Sequence, residues 1–127
     1  MRSNNQIVGQ EGEQQACLHL QALGHSIVAR NWRAGHLEID IISLSPGQLH
    51  IVEVKSIFGS ALADPLMKVN RKKRDNLVKA AKAFLNSPDR KELPTDLDVV
   101  FDVVCVNFKG TDITVDYHPG AYIPIYV

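Results

Sequence analysis

Apolar positions along this chain change their period several times, and each change marks an element. From Glu11 to Leu23 they recur at helical spacing, with Ala16, Leu20 and Leu23 on one face and Cys17 beside them. Gly24 follows as a C-terminal cap. Ser26–Trp32 reads as a first strand. Leu37–Leu44 and Leu49–Ile57 read as two more, joined through Ser45-Pro46-Gly47-Gln48, where Pro followed by Gly signals a turn. Phe58–Pro65, rich in small residues, reads as a loop. The longest helical pattern runs from Leu66 to Asn86, with Val69, Leu77, Val78, Ala81, Phe84 and Leu85 on its buried face and Pro88 beyond its end. Leu97–Phe108 is a strongly apolar strand. Lys109-Gly110-Thr111 turns into another, Asp112–Asp116, and His118–Val127 reads as irregular.

The order α-β-β-β-α-β-β suits a mixed sheet with helices packed against it. The chain has no glycine-rich phosphate loop between a strand and a helix, which excludes a doubly wound nucleotide fold. Its 127 residues, 45% of them hydrophobic, suffice for one core, so a single domain over residues 1–127 is expected. No apolar run approaches the roughly 20 residues of a membrane span. Met1–Gln10 is polar and lacks a signal-peptide core, so a cytoplasmic protein away from membranes is expected. Cys17 and Cys105 lie far apart, in a helical and a strand pattern, and read as small core residues. The histidines, His19, His25, His36, His50 and His118, show no convergent spacing, so no zinc site is expected.

The hairpin carries the candidate chemistry. Pairing Ser45 with Gln48, or Leu44 with Leu49, gives one register, which sets Ile42 against Ile51, Asp40 against Glu53 and Glu38 against Lys55. Side chains alternate faces along a strand, so all of these share one face. Two opposed carboxylates repel and destabilise a sheet unless a cation offsets them. A hard divalent ion or Lys55 is the natural candidate. The alternative is a solvated ladder of Glu38, Asp40, Glu53 and Lys55 with no further role.

Asp40, a turn, then Glu53-Val54-Lys55 resembles the signature of the PD-(D/E)xK nuclease superfamily. The wider pattern is similar to the YraN family, small bacterial proteins of uncertain function. It comprises Gly12-Glu13 with Ala16 and Leu20, Gly24-His25, Asn31-x-Arg33, Glu38-x-Asp40, Glu53-Val54-Lys55, Val69-x-x-x-Lys73 and Phe101-Asp102-Val103-Val104. The resemblance spans roughly Gly9 to Ala121. It departs from the family at Leu37, where glycine is usual, and at Ile57, where arginine is usual. The second departure removes a phosphate contact.

The resemblance implies a restriction-endonuclease-like α/β fold: a mixed sheet with a central hairpin flanked by helices. It implies a metal-dependent nuclease acting on DNA, with branched or damaged structures as candidate substrates. Asp40 and Glu53 would ligate Mg²⁺ or Mn²⁺, with the Val54 carbonyl and the helix carboxylate Glu13 as further ligands. Lys55 would complete the catalytic set with Asp40 and Glu53. Arg33, Arg71, Lys72, Lys73 and Arg74 would bind the nucleic-acid backbone, and a homodimer would reach two strands. The 14 basic and 14 acidic residues cancel, but seven of the basic ones fall within Lys68–Lys82 against only Asp75. That cluster is either a solvated helix face or a backbone clamp. Asp102, on an apolar strand, is expected to be structural, through pairing with an Arg or Lys or through exposure at an edge. Two other functions compete with the nuclease: a nucleic-acid-binding module with little or no cleavage, and an interaction protein whose partner covers the site.

Overall fold

The computed structural model describes residues 4–59 and 71–121, with side chains from residue 9 onward. Helix α1 (Asn4–Ala22) leads into strands β1 (Ser26–Ala34), β2 (Leu37–Ser45) and β3 (Gln48–Phe58). Helix α2 (Arg71–Leu85) and a 3₁₀ turn (Pro88–Arg90) connect to β4 (Asp98–Lys109) and β5 (Asp112–His118). The strands form one five-stranded sheet in the order β1-β2-β3-β4-β5. Neighbours are antiparallel except β3 and β4, which run parallel. A parallel pair needs a long crossover, and the connection carrying α2 provides it. The result is a mixed sheet flanked by two helices, the architecture of a restriction-endonuclease-like domain.

Alternation along the strands, interrupted in β2 between Ile39 and Ile41, splits the core in two. Ile39, Ile42, Leu49, Ile51, Phe101, Val103 and Cys105 pack under Leu77, Val78, Ala80, Ala81 and Phe84 of α2. Ile41, Val52, Val104 and Val106 pack under Ala16, Cys17 and Leu20 of α1. The central strands β3 and β4 are therefore covered on both faces, which is why their sequences are near-continuously apolar. Both cysteines are buried free thiols, as expected of core residues.

Several element boundaries differ from the sequence expectation. Helix α1 begins at Asn4 rather than Glu11. Its first turns are mostly polar, so they carry no amphipathic signal to detect. Leu23 is 55% exposed and lies past the helix end rather than on its buried face. There the Gly24 N–H bonds the Gln21 carbonyl and the His25 N–H bonds that of Leu20, with Gly24 at φ +97°. Strand β1 extends two residues past Trp32, and β5 continues to His118, within the stretch expected to be irregular. Residues 60–65 of the expected loop, 66–70 of the expected helix and 122–127 of the tail lie outside the described residues.

Candidate metal centre

The β2–β3 turn closes with Pro46 and a left-handed Gly47 (φ +75°), and Ser45 pairs with Gln48. Leu44 then faces Leu49, Ile42 faces Ile51 and Ile41 faces Val52. This is the register read from the turn chemistry. The paired residues stop there. The Val54 N–H donates to Asp40 Oδ2 at 2.9 Å. Asp40 thus uses its side chain as the acceptor for the β3 backbone, beside Glu53 at the end of the ladder.

Glu53 is 1% exposed. Its Oε2 has no hydrogen-bond partner among the described residues. Oε1 is instead ion-paired with Lys55 Nζ at 3.2 Å and with Lys73 Nζ of α2. Burial works against the charge on Lys73, but Glu53 outweighs it and holds the ammonium above the ordinary lysine value. Burial pushes the Asp40 carboxyl up to about 6; the Val54 hydrogen bond opposes this, while the Glu53 and Glu13 charges add to it. Asp40 and Glu53 open into a cavity of about 210 Å³ that is also lined by His36, Leu37, Glu38, Lys73, Asn76 and Leu77.

The structure therefore brings Asp40, Glu53, Lys55 and Lys73 together. Val54 sits between Glu53 and Lys55 with its amide committed to Asp40. Glu13 is held on α1 by Asn31 Nδ2 at 2.9 Å and Arg30 at 3.8 Å, within electrostatic reach of Asp40. Among the described residues no three His, Cys, Asp or Glu side chains gather as a metal-binding group. Glu38 is not the partner of Lys55. It faces Arg33 across β1 and pairs with it at 3.6 Å, because the β2–β3 ladder has ended before that level. Arg71, Lys72 and Lys73 lie exposed on the first turn of α2, with Arg74 half-buried behind them. Trp32 is half-buried, edge-on to Phe84 at 5.4 Å, with its indole N–H on Asp89.

The sequence reading missed two arrangements. Lys73, expected at the nucleic-acid backbone, also reaches Glu53; its place in the first described turn of the helix that follows β3 was the available signal. On the opposite sheet face Asp102, 1% exposed, has neither an Arg or Lys partner nor an edge position. It accepts hydrogen bonds from His50 Nδ1 (2.6 Å), the Tyr117 hydroxyl (2.5 Å) and the Gly120 N–H (2.8 Å). The parallel register sets Val52 against Asp102, so His50 stands two residues along β3 on the same face. His50 also bonds Ser45 through Nε2, and its ring lies 4.3 Å from that of His25. Histidines without sequence convergence thus meet in space.

A mixed five-stranded sheet carrying Asp40 and Glu53-x-Lys55 on its central hairpin defines a restriction-endonuclease-like domain. The chain belongs to uncharacterised protein family UPF0102, the YraN family, whose model matches residues 12–106. It is similar to a UPF0102 protein of Nitratidesulfovibrio vulgaris, 39% identical over 114 residues, covering 90% of this chain and 82% of the relative. A UPF0102 protein of Bacteroides thetaiotaomicron is 33% identical, with 98% of each chain covered. One of Oleidesulfovibrio alaskensis is 44% identical over 80% of this chain but only 48% of its own, so this chain spans about half of that relative. No helix among the described residues is long and apolar enough to cross a membrane.

Proposed function

We propose that this protein is a metal-dependent nuclease that hydrolyses phosphodiester bonds in DNA at Asp40, Glu53 and Lys55. The observation that carries this reading is Glu53: a buried carboxylate with one oxygen left unpartnered among the described residues, beside a second carboxylate and two lysines, at an open cavity. Buried carboxylates are costly unless paired and hydrogen-bonded. The hard oxygen donors of Asp40 and Glu53 suit Mg²⁺ or Mn²⁺, which take one or two protein carboxylates and fill the remaining positions with water and phosphate oxygens. Asp40 and Glu53 would hold the cation, with the Val54 carbonyl beside them and Glu13 adding negative charge. When bound, the cation supplies Lewis-acid polarisation of the phosphate and a more acidic water.

The chain's own groups do the rest. Asp40, fixed through Val54, presents its carboxylate to the cavity without needing to reorganise. Lys55, anchored on Glu53, stands ready to meet the negative charge that develops on the phosphate. Arg33 and the first turn of α2, with Arg71, Lys72, Lys73 and Arg74, line the approach with positive charge. Such contacts bind backbone rather than read sequence.

Isothermal titration with Mn²⁺ tests the centre. Wild type should bind, and the Asp40→Asn/Glu53→Gln double variant, shown to be folded by circular dichroism, should not. Incubation with nicked, branched and single-stranded DNA then tests cleavage, which Lys55→Met should abolish while Mn²⁺ binding persists. The alternative, a nucleic-acid-binding module of the same fold, draws on the ion pairs that already neutralise Glu53 and on Ile57. It predicts retention of DNA without cleavage at any metal concentration.

A further inference from the structure

Asn31 is the only non-glycine residue with positive φ among the described residues, at +51°. It lies inside β1, where extended backbone is the rule. Arg30 pairs with Ile41 and Trp32 with Ile39, so the register puts Asn31 across from Asp40. In an extended strand the Asn31 side chain would fall on Asp40's face of the sheet. In the left-handed conformation its amide reaches Glu13 of α1, the helix on the other face, and donates to Oε2 at 2.9 Å. Arg30 approaches the same oxygen at 3.8 Å while its own NH1 donates to Gln14. Glu13 is thereby held in place at this end of α1 by Asn31 and Arg30, and its charge bears on Asp40.

A strained conformation persists only where the surroundings impose it, and it concentrates at functional sites. Asparagine tolerates this region better than other non-glycine residues, and its side chain supplies a donor that glycine lacks. The choice of Asn over Gly here therefore points to the amide. Glu38 of β2 also lines the cavity but is paired with Arg33, and α1 offers Glu13 from outside the hairpin. Loss of a group that orients the residues around a metal typically costs about 10- to 100-fold in affinity.

We infer that Asn31 is a positioning residue for the metal centre, holding Glu13 where its charge adds to those of Asp40 and Glu53. This rests on the metal-site reading above. The device uses backbone strain in β1 to bring a helix carboxylate to a strand site.

Asn31→Gly separates this from a structural tie, because glycine keeps the left-handed backbone without strain and loses only the amide. The variant should melt at or above the wild-type temperature. Its Kd for Mn²⁺, by isothermal titration, should rise roughly 10- to 100-fold. In a Glu13→Ala background the same substitution should change Kd less than twofold, since Asn31 acts through Glu13. Wild-type Kd in Asn31→Gly overturns the inference while the Asp40→Asn/Glu53→Gln result still stands for the site itself. An equal loss in the Glu13→Ala background overturns it too, by showing that Asn31 acts by another route. Absence of Mn²⁺ binding in wild type removes both the site reading and this inference.

Discussion

Glu53 and Asp102 are each 1% exposed, on adjacent central strands, yet they face opposite sides of the sheet and live in opposite environments. Asp102 is saturated: a histidine, a tyrosine and a backbone amide donate to it. Burial raises its pKa, but those donors outweigh burial and hold it below the usual carboxylate value. Glu53 leaves Oε2 without a donor among the described residues and is balanced at Oε1 by two ammonium groups, one of them half-exposed on α2. Its neighbour Asp40 is pushed up, not down. The lesson is that burial alone does not mark function. A carboxylate whose donors are built into the fold is part of the fold, whereas one balanced by movable charge at a cavity is available for chemistry.

The sharpest test of that contrast is Asp102→Asn. Breaking a buried, hydrogen-bonded ionic group typically costs about 3–5 kcal/mol, and urea denaturation at pH 7 should show a loss of that order. The acid limb should change as well. A depressed folded pKa gives stability above the unfolded value that is lost as pH falls through the folded value. Wild type should therefore lose stability below about pH 4, and the variant should lose less there. A cost under about 1 kcal/mol would mean that the saturated network is no more structural than the Asp40–Glu53 cluster.

Asp40→Asn should act in the opposite direction. The folded pKa is raised from 3.8 to about 6, so stability is full below the unfolded value and is lost as pH rises through 6. Ionised Asp40 thus costs metal-free protein roughly 2–3 kcal/mol at pH 8. The asparagine oxygen can still accept from Val54. In EDTA the variant should be more stable than wild type at pH 8, with the gain fading toward pH 4. A destabilised variant at pH 8 would place Asp40 with Asp102 as a scaffold residue.

On the α1 side the helix lies close against β3 at one glycine. A Cβ at Gly12 would stand 2.3 Å from Ser56 Oγ on β3 and 3.6 Å from its Cβ. Gly12→Ala should cost about 1–3 kcal/mol through overpacking, and adding Ser56→Ala should recover most of it. Failure of that rescue would mean the clash is absorbed by the helix backbone instead.

These same particulars explain what could be read from residues alone. Pro46-Gly47 fixes the hairpin register locally, so the facing of Ile42 with Ile51 followed from turn chemistry and pleat. The expected pairing of Asp40 with Glu53 is not part of that ladder, which ends at Ile41 and Val52; the two carboxylates meet instead at the cavity beyond its end. The Asp102 partners did not follow from the turn either, because Val52–Asp102 pairing comes from a parallel crossover and Tyr117 and Gly120 arrive from the far edge strand. Long-range register leaves no local mark. The same holds for Lys73: its charge was visible in the basic run, but its reach to Glu53 depends on how α2 lies across the sheet. The expected pairing of Glu38 with Lys55 failed because Asp40 ends the ladder by accepting from Val54. Side-chain capture of a backbone donor is invisible to period counting.

The smallest effect expected is also the one that tests whether Lys73 belongs to the movable charge around Glu53. Its side chain is 48% exposed, so the ion pair is discounted for solvent, and Lys55 remains on Glu53 after its removal. Lys73→Met should cost about 1 kcal/mol in EDTA. If a cation displaces Lys73 from Glu53, what the metal-free state loses reappears as affinity. Mn²⁺ should then bind about fivefold more tightly to the variant, and the stability difference should close at saturating metal. A lysine devoted only to the DNA backbone would leave both quantities unchanged and lower DNA affinity alone. Equal destabilisation with and without Mn²⁺ would instead make Lys73–Glu53 a fixed pair, and the two buried carboxylates would differ only in the identity of their partners.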